Sequence, residues 1–225
     1  TTHPIVGSAE DTNDAFSNFD GISYAKGASV LKQMMLYIGE DKFRDGIRTY
    51  LKKFYEKNTV LEDFLSCMSN ASGKDINSWS KQWLETTGVN TIKTNLKNLN
   101  CTIQQIPSAV NNQLRDHAIL YENYSLQNGK PQILDKGKLF IKGENCEFLL
   151  NKSGDFLLLN AEDHDYVKVF FEEKDIDFIS NYVSSIEDRF TRRIIWGNLW
   201  QMVRDNALSP YIYLGMIEKH LNLEK

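Results

Sequence analysis

A chain of 225 residues is long enough for one large domain or for two or three smaller pieces. With 41% hydrophobic and 25% charged residues it reads as globular rather than disordered. A formal net charge of -4 with scattered Lys and Arg offers no electrostatic footprint for nucleic acid or an anionic membrane, and no apolar run approaches the ~20 residues of a membrane span. The Lys52-Lys53 and Arg192-Arg193 pairs read as solvated helix faces. Cys67, Cys101 and Cys146 are odd in number and widely spaced, with no CxxC pair, so a reduced, cytoplasmic setting is expected.

From about Asp20 to Thr87 the pattern is helical. Ile22, Ala25, Val30, Leu31, Met34, Met35 and Ile38 recur near the 3.6 period, with Gly39 as the stop. A second helix covers about Asp41 to Glu56, with Phe43, Ile47, Tyr50, Leu51 and Phe54 on one face. Thr59 and Glu62 have the spacing of a capping box for a third helix, which carries Leu61, Phe64, Leu65 and Met68 and stops near Gly73. Asp75 is placed to cap a fourth, with Ile76, Trp79, Trp83 and Leu84 as its stripe and Gly88 as its terminator.

Between about Val89 and Phe171 the period falls to two. Strands are expected at 91–96, 101–106, 117–124, 138–141, 156–159 and 166–170, separated by turns at Asn128-Gly129, Gly143 and Ser153-Gly154. They predict a small antiparallel sandwich. Helical periodicity then returns at Asp175 to Ser184 and at Asp188 to Asn206, where Phe190, Ile194, Ile195, Leu199, Met202 and Val203 are expected to face inward. Ser209-Pro210 opens a last helix through Leu214, Ile217 and Leu221. The i,i+4 pairs Trp79/Trp83 and Trp196/Trp200 read as core stripes.

His3, His117, His164 and His220 lie in different segments, none with an i,i+4 partner that would make a zinc face. The His-Glu-x-x-His pair of a zinc peptidase does not occur in the sequence. Glu162-Asp163-His164-Asp165 and Glu172-Glu173 lack the spaced ligand loop of a calcium site and read as solvated turns. No metal site is therefore expected in this chain.

Several motifs occur in one order along the chain. Phe19-Asp20-Gly21-Ile22-Ser23-Tyr24-Ala25-Lys26-Gly27-Ala28 resembles the F-D-x-I-x-Y-x-K-G-A motif of the aminopeptidase N type of zinc metallopeptidase. Thr2-His3-Pro4-Ile5 is similar to an Ser-His-Pro-Ile element of the same family. Gly39 to Leu51 resembles its G-x-x-x-F-x-x-G-x-x-x-Y-L helix, and Trp83 to Val89 its W-x-x-x-x-G-x segment. Leu114-Arg115-Asp116-His117 and Leu159-Asn160-Ala161-Glu162-Asp163 look like its sandwich elements. Arg193 through Trp196, Trp200 to Asp205 and Tyr213-Leu214 resemble the opening of its C-terminal helical domain.

The resemblance implies that residues 1–88 are the C-terminal helical part of a thermolysin-like peptidase domain, 89–172 a β-sandwich domain, and 173–225 the beginning of an α-helical domain. It implies a parent that removes N-terminal residues from peptides with one zinc ion. The zinc ligands and general-base glutamate would lie in missing parts of the parent chain, so this piece alone is expected to be zinc-free and inactive. Tyr24 is the implied catalytic residue, its phenol O–H donating to the oxyanion of the transition state. Asp20, Lys26 and Gly27 take supporting roles: a cap for the helix that presents Tyr24, a salt bridge or helix contact, and close packing. The alternative is a non-catalytic binding or interaction module.

Overall fold

The computed structural model describes residues 3–7, 11–17 and 19–224; of the motif at the start, Thr2 lies outside them. The first layer is helical. After α1 (Thr12–Ser17), which has no clear signal in the sequence, a π-helical turn over Ile22–Lys26 runs directly into α2 (Gly27–Ile38). Then come α3 (Glu40–Lys53), α4 (Leu61–Ser72) and α5 (Ile76–Leu84). Gly39 (φ 95°) and Gly73 (φ 72°) end α2 and α4 in backbone conformations that favour glycine. Val30, Met34, Leu65, Met68, Ile76, Trp79 and Trp83 form the buried centre of this layer.

Three local expectations change. The cap of α4 is shifted by one residue: the Val60 N–H donates to Asp63 Oδ2 at 3.2 Å. Thr59 is otherwise engaged, its hydroxyl 2.6 Å from the Tyr50 phenol. Helix α5 ends at Leu84, short of Gly88, with the Glu85 N–H closing the last turn on the Lys81 carbonyl. Leu51 is 62% exposed, since α3 leans on α4 through Phe43, Ile47 and a buried Gly46. A Cβ at Gly46 would stand 2.7 Å from Met68 Sδ.

The second layer holds β1 (Thr91–Lys97), β2 (Asn100–Ile106), β3 (His117–Gln127), β4 (Lys130–Ile141), β5 (Asn145–Leu149), β6 (Phe156–Ala161) and β7 (Lys168–Phe170). They form a four-stranded sheet ordered β5-β2-β1-β7 and a three-stranded sheet ordered β4-β3-β6. The expected sandwich is present, but it is not wholly antiparallel. Strand β7 pairs parallel to β1, with Ile92 opposite Val169. The two are far apart in the chain and no hairpin dictates their direction. Strand β5 and the first half of β4 also escaped the sequence, their polar alternation resembling turn.

Helices α6 (Glu173–Tyr182), α7 (Arg189–Arg204) and α8 (Pro210–His220) cover the sheets. Phe156, Leu158, Leu159, Ile179, Ile195 and Leu199 are fully buried in one continuous core. Asp188 caps α7, accepting from Thr191 N at 2.7 Å. The inward face of α8 is rotated from the expected one: Met216 and His220 are buried while Leu214 and Leu221 are exposed. Trp200 and Phe190 are also exposed. Arg192 is buried, not solvated, donating to Glu224 Oε2 at 2.7 Å and to the carbonyl of Ile186 at 2.8 Å.

Candidate active site

The turn bearing Tyr24 is built by Asp20. Its Oδ1 accepts from the N–H groups of Ile22 (2.9 Å) and Ser23 (3.1 Å), satisfying two donors that a helix start leaves unpaired. These are the capping bonds expected of it. Oδ2 lies 3.1 Å from His3 Nε2, and His3 Nδ1 donates to the Pro4 carbonyl at 2.7 Å. A carbonyl accepts only, so Nδ1 keeps a proton, and the carboxylate favours a second one on Nε2. The Pro4 carbonyl and then Asp20 therefore raise the His3 pKa above 6.5. The Ser23 N–H is the largest influence holding Asp20 below its ordinary 3.8.

Above this cap the chain makes one wide π turn, a geometry that recurs at functional sites. Tyr24 stands on its outside, 61% exposed, with the Phe19 ring edge-on at 5.0 Å. Lys26 points the other way and is only 5% exposed. Its Nζ donates to the Thr86 carbonyl just past α5 at 2.9 Å and sits 5.9 Å from the Tyr166 ring centre. Burial, with Arg115 nearby, lowers the Lys26 pKa to about 8. Its anchor is thus a carbonyl rather than the salt bridge considered from sequence. Close packing at Gly27 is not seen: an added Cβ would meet nothing within 4 Å.

Arg115, at the foot of β3, completes the support and is 1% exposed. Nε donates to Gln82 O at 2.8 Å and to Thr86 Oγ1 at 3.2 Å. Nη1 reaches Asn90 Oδ1, and Nη2 reaches Thr86 Oγ1 and Thr87 O, each at 2.7 Å. The guanidinium carbon also lies over the Trp83 ring, 5.4 Å from its centre. In the sequence Arg115 stands only as one residue of the Leu114-Arg115-Asp116-His117 motif. Its one distinguishing signal was a lone arginine just ahead of an apolar strand.

Zinc is the metal that the resemblance implies, and the described residues do not fit it. Among them no group of three or more His, Cys, Asp or Glu is placed to hold a metal ion. The histidines lie apart: His3 bonds Asp20, His220 bonds Ser184 and the Ser180 carbonyl, and the His164 Nδ1 is 3.9 Å from Glu162. His117 Nδ1 is 2.9 Å from Asp165 Oδ1, both side chains fully buried. Asp165 is therefore interior, not part of a solvated turn. No described helix is long and apolar enough to cross a membrane.

Known proteins resemble this chain in sequence and in fold. Residues 1–83 match the model of the peptidase family M1 domain. The chain is 34% identical over 233 aligned positions to aminopeptidase N of Streptomyces lividans, covering 96% of this chain and 27% of that protein. It is 28% identical to the leucyl aminopeptidase of Saccharolobus solfataricus, covering 99% of this chain and 27% of the relative. The crystal structure of Legionella pneumophila aminopeptidase A in complex with aspartic acid shares the fold, with a TM-score of 0.67 at 20% identity over 92% of this chain and 25% of that one. Residues 1–83 are thus similar to the M1 peptidase family, and nearly the whole chain is similar to aminopeptidases. The chain spans about a quarter of the length of these curated relatives.

Proposed function

We propose that this chain supplies the oxyanion-binding phenol of an aminopeptidase that removes N-terminal residues from peptides. Tyr24 is that residue. As the scissile carbonyl is attacked, negative charge gathers on its oxygen, and a fixed O–H aimed at it stabilises the transition state more than the ground state. The exposed Tyr24 on a turn capped by Asp20 is the observation that carries the reading. Similarity to aminopeptidases supports the reaction class.

In this reading residues 1–88 complete a thermolysin-like peptidase domain, 89–172 are its sandwich neighbour and 173–225 begin a helical domain. The zinc and the general base belong to residues outside these 225, so the chain alone turns over no substrate. Three free thiols, Cys67, Cys101 and Cys146, fit a cytoplasmic setting.

The test is Tyr24→Phe in the full-length protein that contains this chain, assayed on an aminoacyl chromogenic amide. The expected result is a fall in kcat of roughly 10²–10³-fold, with bound zinc and melting temperature unchanged, and no turnover from the 225 residues alone. Wild-type kcat in the variant would return Tyr24 to an ordinary surface tyrosine.

A further inference from the structure

We infer that Lys26 and Arg115 are positioning residues for Tyr24, fixing the turn that carries its phenol onto the segment that leaves α5. The inference rests on the oxyanion reading of Tyr24 and adds what holds that group in place.

A helix ends with carbonyls that lack partners and with the negative end of its dipole. Two buried cations converge on the last turn of α5 and the two threonines that follow it, Thr86 and Thr87. Lys26 takes the Thr86 carbonyl, while Arg115 takes those of Gln82 and Thr87 together with the Thr86 hydroxyl. All five Arg115 bonds and the Lys26 bond end on uncharged oxygens. An apolar side chain at position 26 would be easier to bury than an ammonium. It would lack direction, however, whereas a 2.9 Å bond to one carbonyl fixes the rotation of the turn.

That rotation decides where Tyr24 points. Lys26 follows it by two residues, about half a turn in a helix, so anchoring one inward holds the other outward. Asp20 pins the near end of the turn through Ile22 and Ser23. At the far end packing contributes little, because Gly27 has open space around it. The Lys26 bond is what fixes that end, and Arg115 makes its receiving carbonyl rigid. A donor displaced by an ångström loses much of its effect on rate.

The test is a double-mutant cycle in the full-length protein: Lys26→Met, Tyr24→Phe and both together, with kcat and KM measured for each. Lys26→Met should lower kcat by about 10- to 100-fold with little change in KM. In the Tyr24→Phe background it should add no further loss, since the group it positions is gone. Should Lys26→Met not fold, Thr86→Val removes two Arg115 contacts at nearly constant shape. It should lower kcat only where Tyr24 is present. An equal loss in both backgrounds, or wild-type kcat in Lys26→Met, overturns the positioning role. A Tyr24→Phe enzyme with full activity overturns the oxyanion reading and this inference with it.

Discussion

Arg115 makes the strongest single set of polar contacts near the site. Its five donor contacts fan out in the plane of the guanidinium, a geometry lysine cannot reproduce with one ammonium. Arg115→Lys should therefore destabilise the protein by about 3 kcal/mol or more, because bonds to a charged group are each worth about 1.5–3 kcal/mol. Chemical denaturation would measure this, and a wild-type midpoint would mean that the carbonyls find other partners. No local pattern marks this residue. Its acceptors lie at 82, 86, 87 and 90, and only the fold brings β3 onto the end of α5. Asp20 was legible for the opposite reason: its acceptor oxygen serves residues two and three positions away.

Among the elements, the joint between α5 and β1 matters most to the site, since it carries both Thr86 and Thr87. Gly88 turns the chain there with φ +81°, and a Cβ at this position would stand 2.0 Å from Ser108 Oγ. The left-handed conformation costs a residue with a side chain about 1–2 kcal/mol, and the overlap adds to it. Gly88→Ala should lower stability by at least about 2 kcal/mol and loosen the carbonyls that receive Lys26 and Arg115. Thermal unfolding followed by circular dichroism is the check; an unchanged melting temperature would argue against the turn as described. Gly39, Gly73 and Asp75 marked helix ends in the sequence because their effects are local; Asp75 accepts from Ser78 N at 3.0 Å. Strand β5 has no such local mark, because its pairing with β2 joins Cys146 to Ile103 across the chain.

For the molecule as a whole, the sheets sit between two helical layers and side chains tie them together. Lys32 donates to the carbonyls of Glu162 and Asp163 at 2.8 Å each, and Lys174 to that of Leu96 at 2.7 Å. Asp175, at the start of α6, is buried against this assembly and its pKa is raised from 3.8 to about 6, chiefly by desolvation. The fold thus favours the protonated acid: this contribution to stability is complete below about pH 4 and is lost as pH rises through about 6. At neutral pH the buried carboxylate costs up to about 3 kcal/mol. Asp175→Asn keeps an oxygen for the Glu172 N–H and should raise stability at pH 7 but not at pH 4. Unfolding curves at the two pH values test this, and equal effects would remove Asp175 as the cause.

The sequence by itself determined the helix–sandwich–helix order, most helix boundaries, the cap at Asp20 and the placing of Tyr24 within a motif. These depend on periodicity and on hydrogen bonds that close within a few residues. Tertiary structure alone decided that Arg192 and Asp165 are interior, that Trp200 and Leu214 face outward, and that β7 runs parallel to β1. It also decided that Lys26 and Arg115 meet at the segment that leaves α5. Each of those outcomes depends on which surfaces come together across long stretches of chain. A helix has one apolar stripe in its sequence, but its rotation is set by the neighbour it packs against, and a buried cation by the carbonyls that neighbour exposes.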